Sequence, residues 1–175
     1  MIYLRWILSY PLAQATTFLT WLLAPLLALC VTEIDGREWL IKPLRWFQTF
    51  DAPLDEWRCG TYYKNCNWLK WDFTKPTHRY LARVFWLYRN PAYGFAQYPL
   101  GINAGRLLSV TYHGKWDNGS NNREFTRWEN AFNFRAQWFF YGKRYLRINI
   151  GWKAHHGFSR LMLATHISPF RTYHA

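Results

Sequence analysis

The chain has 175 residues, 21% of them aromatic with 12 tryptophans, and carries 22 basic against 10 acidic side chains. That length admits one ordinary domain plus an anchor and excludes two large domains. Three cysteines make no disulfide framework: Cys30 lies in an apolar run, and Cys59 and Cys66 either close a short loop or, the preferred reading, stay free.

The charge is uneven. Residues 1–60 hold five basic and six acidic side chains, residues 61–175 hold 17 basic and four acidic, and no acid follows Glu129. A region this basic points to anionic partners: lipid headgroups, nucleic acid or an acidic protein face.

From Trp6 to Thr32 the chain carries no charge. A signal peptide needs a basic start, a short apolar stretch and a small-residue cleavage site, and this run is too long and lacks the last. Pro11 can open a helix, and Leu12–Val31 then spans about 30 Å, the thickness of a hydrocarbon core. The expectation is a membrane-inserting helix over 1–32, anchored by Trp6, Trp21, Leu22, Leu23, Leu26 and Leu27. An in-plane hairpin broken at Pro25 and a helix buried in a soluble fold are the alternatives. Arg37, Lys42 and Arg45 outnumber Arg5 across the run, which places the C-terminal part in the cytoplasm.

Residues 33–75 read as a Trp-rich interfacial segment and loop. Trp39, Trp46 and Phe47 mix with Lys42 and Arg45 as headgroup-level anchors do, and Pro43 prevents one regular helix. Asp51, Asp55 and Glu56 are expected as a solvated turn.

A third region, 76–175, combines a basic helix with a sheet. "KPTHRYLARVFWLYRNP" predicts an amphipathic helix capped by Thr77, with Leu81, Val84, Phe85 and Tyr88 on the packed face. Arg79 and Arg83, with Arg89 at the end, form a basic row for an anionic surface or partner. From Gly105 the period changes to two. "RLLSVTYH", "NAFNFRAQWFFY", "YLRINIGWK" and "RLMLATHI" predict an antiparallel β-meander of three to four strands, with a tight turn at Asn118–Gly119. Phe132, Phe134, Ala136, Trp138 and Phe140 share one face with Leu146, Ile148, Ile150 and Trp152. Arg135, Arg147 and Lys153 share the other with Asn133, Gln137, Asn149 and Tyr141. Basic and aromatic groups on a sheet suit single-stranded nucleic acid or an anionic lipid surface.

No HExxH, GxSxG, phosphate-cradling glycine loop or dinucleotide fingerprint is legible. His113 with His155 and His156 lacks the carboxylate that a metal site favours. The chain reads as no enzyme, with no catalytic residues, cofactor or metal.

The stretches "LRWILSYPL", "WLLAPLLAL", "PLRWFQTFDAPLDE", "LARVFWLYRNPAYGF" and "ISPFR" together resemble a family of small hypothetical proteins of tailed bacteriophages without an assigned activity. The resemblance implies a phage product at the bacterial inner membrane and carries over no catalytic residues. The combined expectation is an α+β chain with an N-terminal apolar membrane helix, an amphipathic helix and the C-terminal meander. The expected function is that of a non-enzymatic, membrane-anchored phage accessory protein, which binds the lipid bilayer and a host or phage protein to alter the host envelope or exclude a second phage. A basic single-stranded nucleic-acid binder is the alternative, and a holin-like lysis protein the third reading.

Overall fold

The computed structural model describes residues 1–56, 72–114, 120–141, 144–154 and 160–172. Cys59, Cys66, His155, His156, His174 and the turns expected at Asn118–Gly119, at 142–143 and at His155–Gly157 lie outside the described residues. The chain divides into two compact units, Pro11–Tyr98 and a second made of Met1–Tyr10 with Pro99–Ala175.

Helix α1 (Ile2–Leu27) opens the chain. No helix among the described residues is long and apolar enough to cross a membrane, which overturns the membrane helix expected over 1–32. The reason is local. The helix starts at Ile2 with Pro11 inside it, and it stops at Leu27, so Ala28 to Val31 are lost to a turn and a strand. Tyr10, Gln14, Thr16, Thr17, Thr20 and two prolines dilute the remainder. Thr16 and Thr20 each donate their hydroxyl to the carbonyl four residues back, both at 2.8 Å, which satisfies them within the helix.

In the Pro11–Tyr98 unit, α1 is followed by a hairpin of β1 (Val31–Ile34) and β2 (Arg37–Leu40). Its turn is Asp35–Gly36, both at positive φ, the backbone that two-residue hairpin turns demand. A 3₁₀ turn (Lys42–Phe47), helix α2 (Pro76–Arg89) and the short helix α3 (Tyr93–Gln97) follow. Ala24, Leu27 and Ala28 pack with Leu40, Leu54, Ala82, Val84, Trp86 and Leu87 as the core. The packed face of α2 differs from the expectation. Val84 is buried, but Leu81, Phe85 and Tyr88 are exposed, and Ala82, Trp86 and Leu87 point inward instead. A buried carboxylate, described below, draws the Arg79 and Arg83 side of the helix toward the core. Lys75 rather than Thr77 precedes the first turn, which Pro76 opens without a side-chain cap.

The other unit is an antiparallel sheet of six strands in the order β3-β8-β7-β6-β5-β4, not three to four. The strands are β3 (Ile102–Asn103), β4 (Leu107–His113), β5 (Asn122–Trp128), β6 (Phe132–Tyr141), β7 (Arg144–Lys153) and β8 (Arg160–Thr172). Three to four were expected; β3 is too short to show a period, and β5 begins inside what reads as a polar loop. Registers such as Phe125↔Phe134↔Ile150 and Glu124↔Arg135↔Asn149 set the two faces as the alternation predicts. On the apolar face Phe132 meets Trp152 at 6.0 Å and Phe125 at 6.3 Å, and Tyr3 of α1 covers it at 4.8 Å. Trp152 is fully buried, and its indole N–H donates to the Leu100 carbonyl at 3.0 Å.

Candidate functional site

The polar face of the sheet is concave. A cavity of about 540 Å³ opens on it across β4, β5, β6 and β7. Its floor is built from amides. Asn133 and Asn149 are both buried, and the Asn133 side-chain N–H donates to Asn149 Oδ1 at 2.8 Å and to the Ile150 carbonyl at 3.3 Å. Gly151 stands opposite Asn133, so no side chain there blocks the reach of the asparagine. Next along the same face, Asn122 donates to Gln137 Oε1 at 3.1 Å.

Arg135, Arg147 and Lys153 line this cavity, as the two-residue period placed them. Arg147 pairs with Gln137 and Arg135 with Asn149, so the two arginines are diagonal neighbours on adjacent strands, roughly 7–8 Å apart at the backbone. Each of the three cations keeps an interaction within the protein, which holds the charge in place. One carboxylate, Glu124, stands among the lining residues, directly across from Arg135, and accepts the Thr126 hydroxyl at 3.0 Å. Leu107, Val110 and Trp128 form an apolar rim. The surface is therefore cationic and rich in amide donors and acceptors, with an indole at its edge.

Over residues 1–175 the sequence matches the profile of DUF7338, a family of unknown function. The chain belongs to that family. No curated protein and no solved structure gives a significant match. The groove of this DUF7338 chain must therefore be read from its own chemistry.

The remaining basic candidates are held elsewhere. Glu38, 3% exposed, receives Arg83 Nε at 2.7 Å on one carboxylate oxygen and the Arg79 guanidinium on the other. Burial pushes the Glu38 carboxyl up, but the hydrogen bonds and charges of Arg83 and Arg79 override it and lower its pKa from 4.5 to about 2. Arg37 extends the cluster, bonding Asp55 at 3.3 Å and Glu56 at 2.9 Å. Asp55 is buried and accepts the Glu38 backbone N–H at 3.1 Å, so this part of the expected solvated turn is a structural anchor. Arg89 lies near the Trp86 ring at 5.9 Å.

The residues expected to anchor in a bilayer are also divided. Leu27 is in the core and Leu23 packs against it, whereas Trp21, Leu22 and Leu26 are exposed. Trp21 donates its indole N–H to the Tyr88 carbonyl at 3.1 Å. Trp6 sits 6.2 Å from Phe132, Trp39 lies under Arg45 at 5.6 Å, and exposed Trp46 meets Phe95 at 6.0 Å. Phe47 is half-buried against the core. A larger open cavity, about 990 Å³, lies along the first turns of α1 and the β3 edge, where Arg5, Ser9, Asn103, Asn130 and Arg160 line it beside Met1, Ile2, Leu4 and Leu8. Among the described residues no three His, Cys, Asp or Glu side chains are placed to hold a metal ion. His78 accepts the Asp72 backbone N–H at 2.9 Å, His113 is exposed at the end of β4, and Cys30 is a free thiol. Sequence reasoning missed Glu124 and Trp128 in the groove. Their signal was the alternation Glu124–Thr126–Trp128, visible once β5 is recognised as a strand.

Proposed function

We propose that this protein binds rather than catalyses, and that the concave polar face of its sheet takes single-stranded nucleic acid. The observation that carries the reading is the gathering of Arg135, Arg147 and Lys153 over an amide floor, in a cavity rimmed by Trp128. Cations of this kind neutralise phosphates, amides meet base edges, and an indole offers a stacking plane. Among the described residues the lining contains a single carboxylate, already bonded to Thr126, and neither histidine nor cysteine, so these residues form no acid–base or nucleophile pair.

The test is anisotropy of a labelled poly-dT oligonucleotide against the full chain at rising salt. Three phosphate contacts at about 0.7 released ions each give a slope of log K on log salt near −2. Replacing Arg147 by Gln should weaken binding several-fold and flatten that slope by about 0.7. A salt-independent or unchanged affinity refutes the reading. Flotation with anionic vesicles, in the absence of oligonucleotide binding, would assign the groove to lipid headgroups instead.

A further inference from the structure

Among the described residues the outer edge of the sheet pairs with no further strand. Strand β4 ends the strand order, and among the described residues its one strand partner is β5. All seven of its residues are exposed, and the sequence LLSVTYH contains no charge and no proline. Natural sheets guard such edges with lysine, proline, bulges or short strands, because a row of outward N–H and C=O groups recruits another strand. Here the guard is limited to an irregularity between Leu107 and Ser109 at one end.

The chemistry beside the edge states what fits it. Ser109 pairs with Arg127 and His113 with Arg123, so both arginines lie on the face opposite the groove, one strand in from the edge. Both are exposed, and neither makes an ion pair with a described residue. Strands are spaced by about 4.8 Å, so Arg127 reaches across the small Ser109, and Arg123 alongside His113, to carboxylates on a strand added outside β4. On the other face Val110 and Tyr112 are exposed and apolar.

We propose that β4 is a docking edge for an extended acidic segment of a partner protein, which joins the sheet as a seventh strand. Two carboxylates four residues apart would stand opposite Ser109 and His113, within reach of Arg127 and Arg123. Apolar side chains at the two positions opposite Val110 and Tyr112 would cover the other face. The recognised pattern is thus acid, apolar, any, apolar, acid. A second copy of this chain fits worse, since antiparallel β4–β4 pairing brings Arg123 and Arg127 of both copies onto one face with no acid between them. The two carboxylate positions lie on the face opposite the groove; the site shares only Val110 with the groove's rim and does not rest on nucleic-acid binding.

The experiment uses the full chain and a fluorescein-labelled peptide, Thr-Glu-Val-Thr-Val-Glu-Thr, read by anisotropy. Saturable binding is expected, with at least a tenfold loss when both glutamates become lysine and when alternate peptide amides are N-methylated. The doubly substituted Arg123→Glu, Arg127→Glu chain, checked for its fold by circular dichroism, should reverse the preference and favour the lysine peptide. Equal binding of the acidic and lysine peptides overturns the proposal, as does indifference to N-methylation. So does concentration-dependent dimerisation that the acidic peptide fails to compete, because the edge then belongs to a second copy.

Discussion

Replacing Glu38 by Gln removes the charge on which Arg79 and Arg83 converge and leaves the shape nearly unchanged. In the native chain the Glu38 pKa is lowered from 4.5 to about 2. At about 1.4 kcal/mol per unit the full shift is worth about 3 kcal/mol, and the partial exposure of Arg79 reduces the expected loss to about 2–3 kcal/mol at pH 7. The sign follows from the direction. A lowered carboxylate pKa stabilises the fold above pH 4.5, and that contribution is lost as pH falls through 4.5 toward 2. The wild-type chain therefore loses stability across that window, the variant loses less, and the two converge near pH 2. Urea unfolding followed by tryptophan fluorescence at several pH values measures this. With a slope of about 2 kcal/mol per molar, the midpoint at pH 7 should drop by about 1 M. Replacing exposed Glu33 by Gln is the control and should change little. A Glu38→Gln penalty that stays constant from pH 7 to pH 2, or none at pH 7, would refute the buried-pair reasoning.

The sheet unit supplies two further tests. Gly151 holds φ +107°, and a Cβ there would strike the Phe132 carbonyl. Gly151→Ala should therefore cost about 2–4 kcal/mol, read as a fall in thermal midpoint. Trp152→Phe removes the donor to the Leu100 carbonyl and some buried volume, so about 2–3 kcal/mol should be lost in the same assay.

The parts of the fold that show in the sequence are those where one residue type repeats at the period of its element. Alternation across Phe132–Tyr141 and Arg144–Lys153 fixed which side chains share a face, and with it the place of Arg135, Arg147 and Lys153. Period says less about a short element. The β1–β2 hairpin has four residues per strand, and its one local sign was Asp35–Gly36, set between a long apolar run and a Trp-rich stretch that drew the reading toward a membrane. The packed face of α2 was misplaced for a different reason. Hydrophobic spacing assigns Leu81, Phe85 and Tyr88 to the core, but an ion pair between strand and helix outweighed it. That pair joins Glu38 to residues 41 and 45 positions later, a distance no local pattern records.

The same distinction separates the two surpluses of charge. The Pro11–Tyr98 unit holds ten basic and seven acidic residues, and Arg37, Arg79 and Arg83 are matched there by Asp55, Glu56 and Glu38. The sheet unit holds 12 basic residues against three acids, a formal +9. Of those acids, Glu124 stands opposite Arg135 and Glu129 pairs with Arg106. So few carboxylates cannot neutralise the remainder, and self-repulsion of that size disfavours the compact state. Arranging those cations on a concave face and beside an open edge lowers the cost only when anions arrive from outside. The matched charge of the first unit is thus part of its fold, and the unmatched charge of the sheet unit is what the proposed binding rests on.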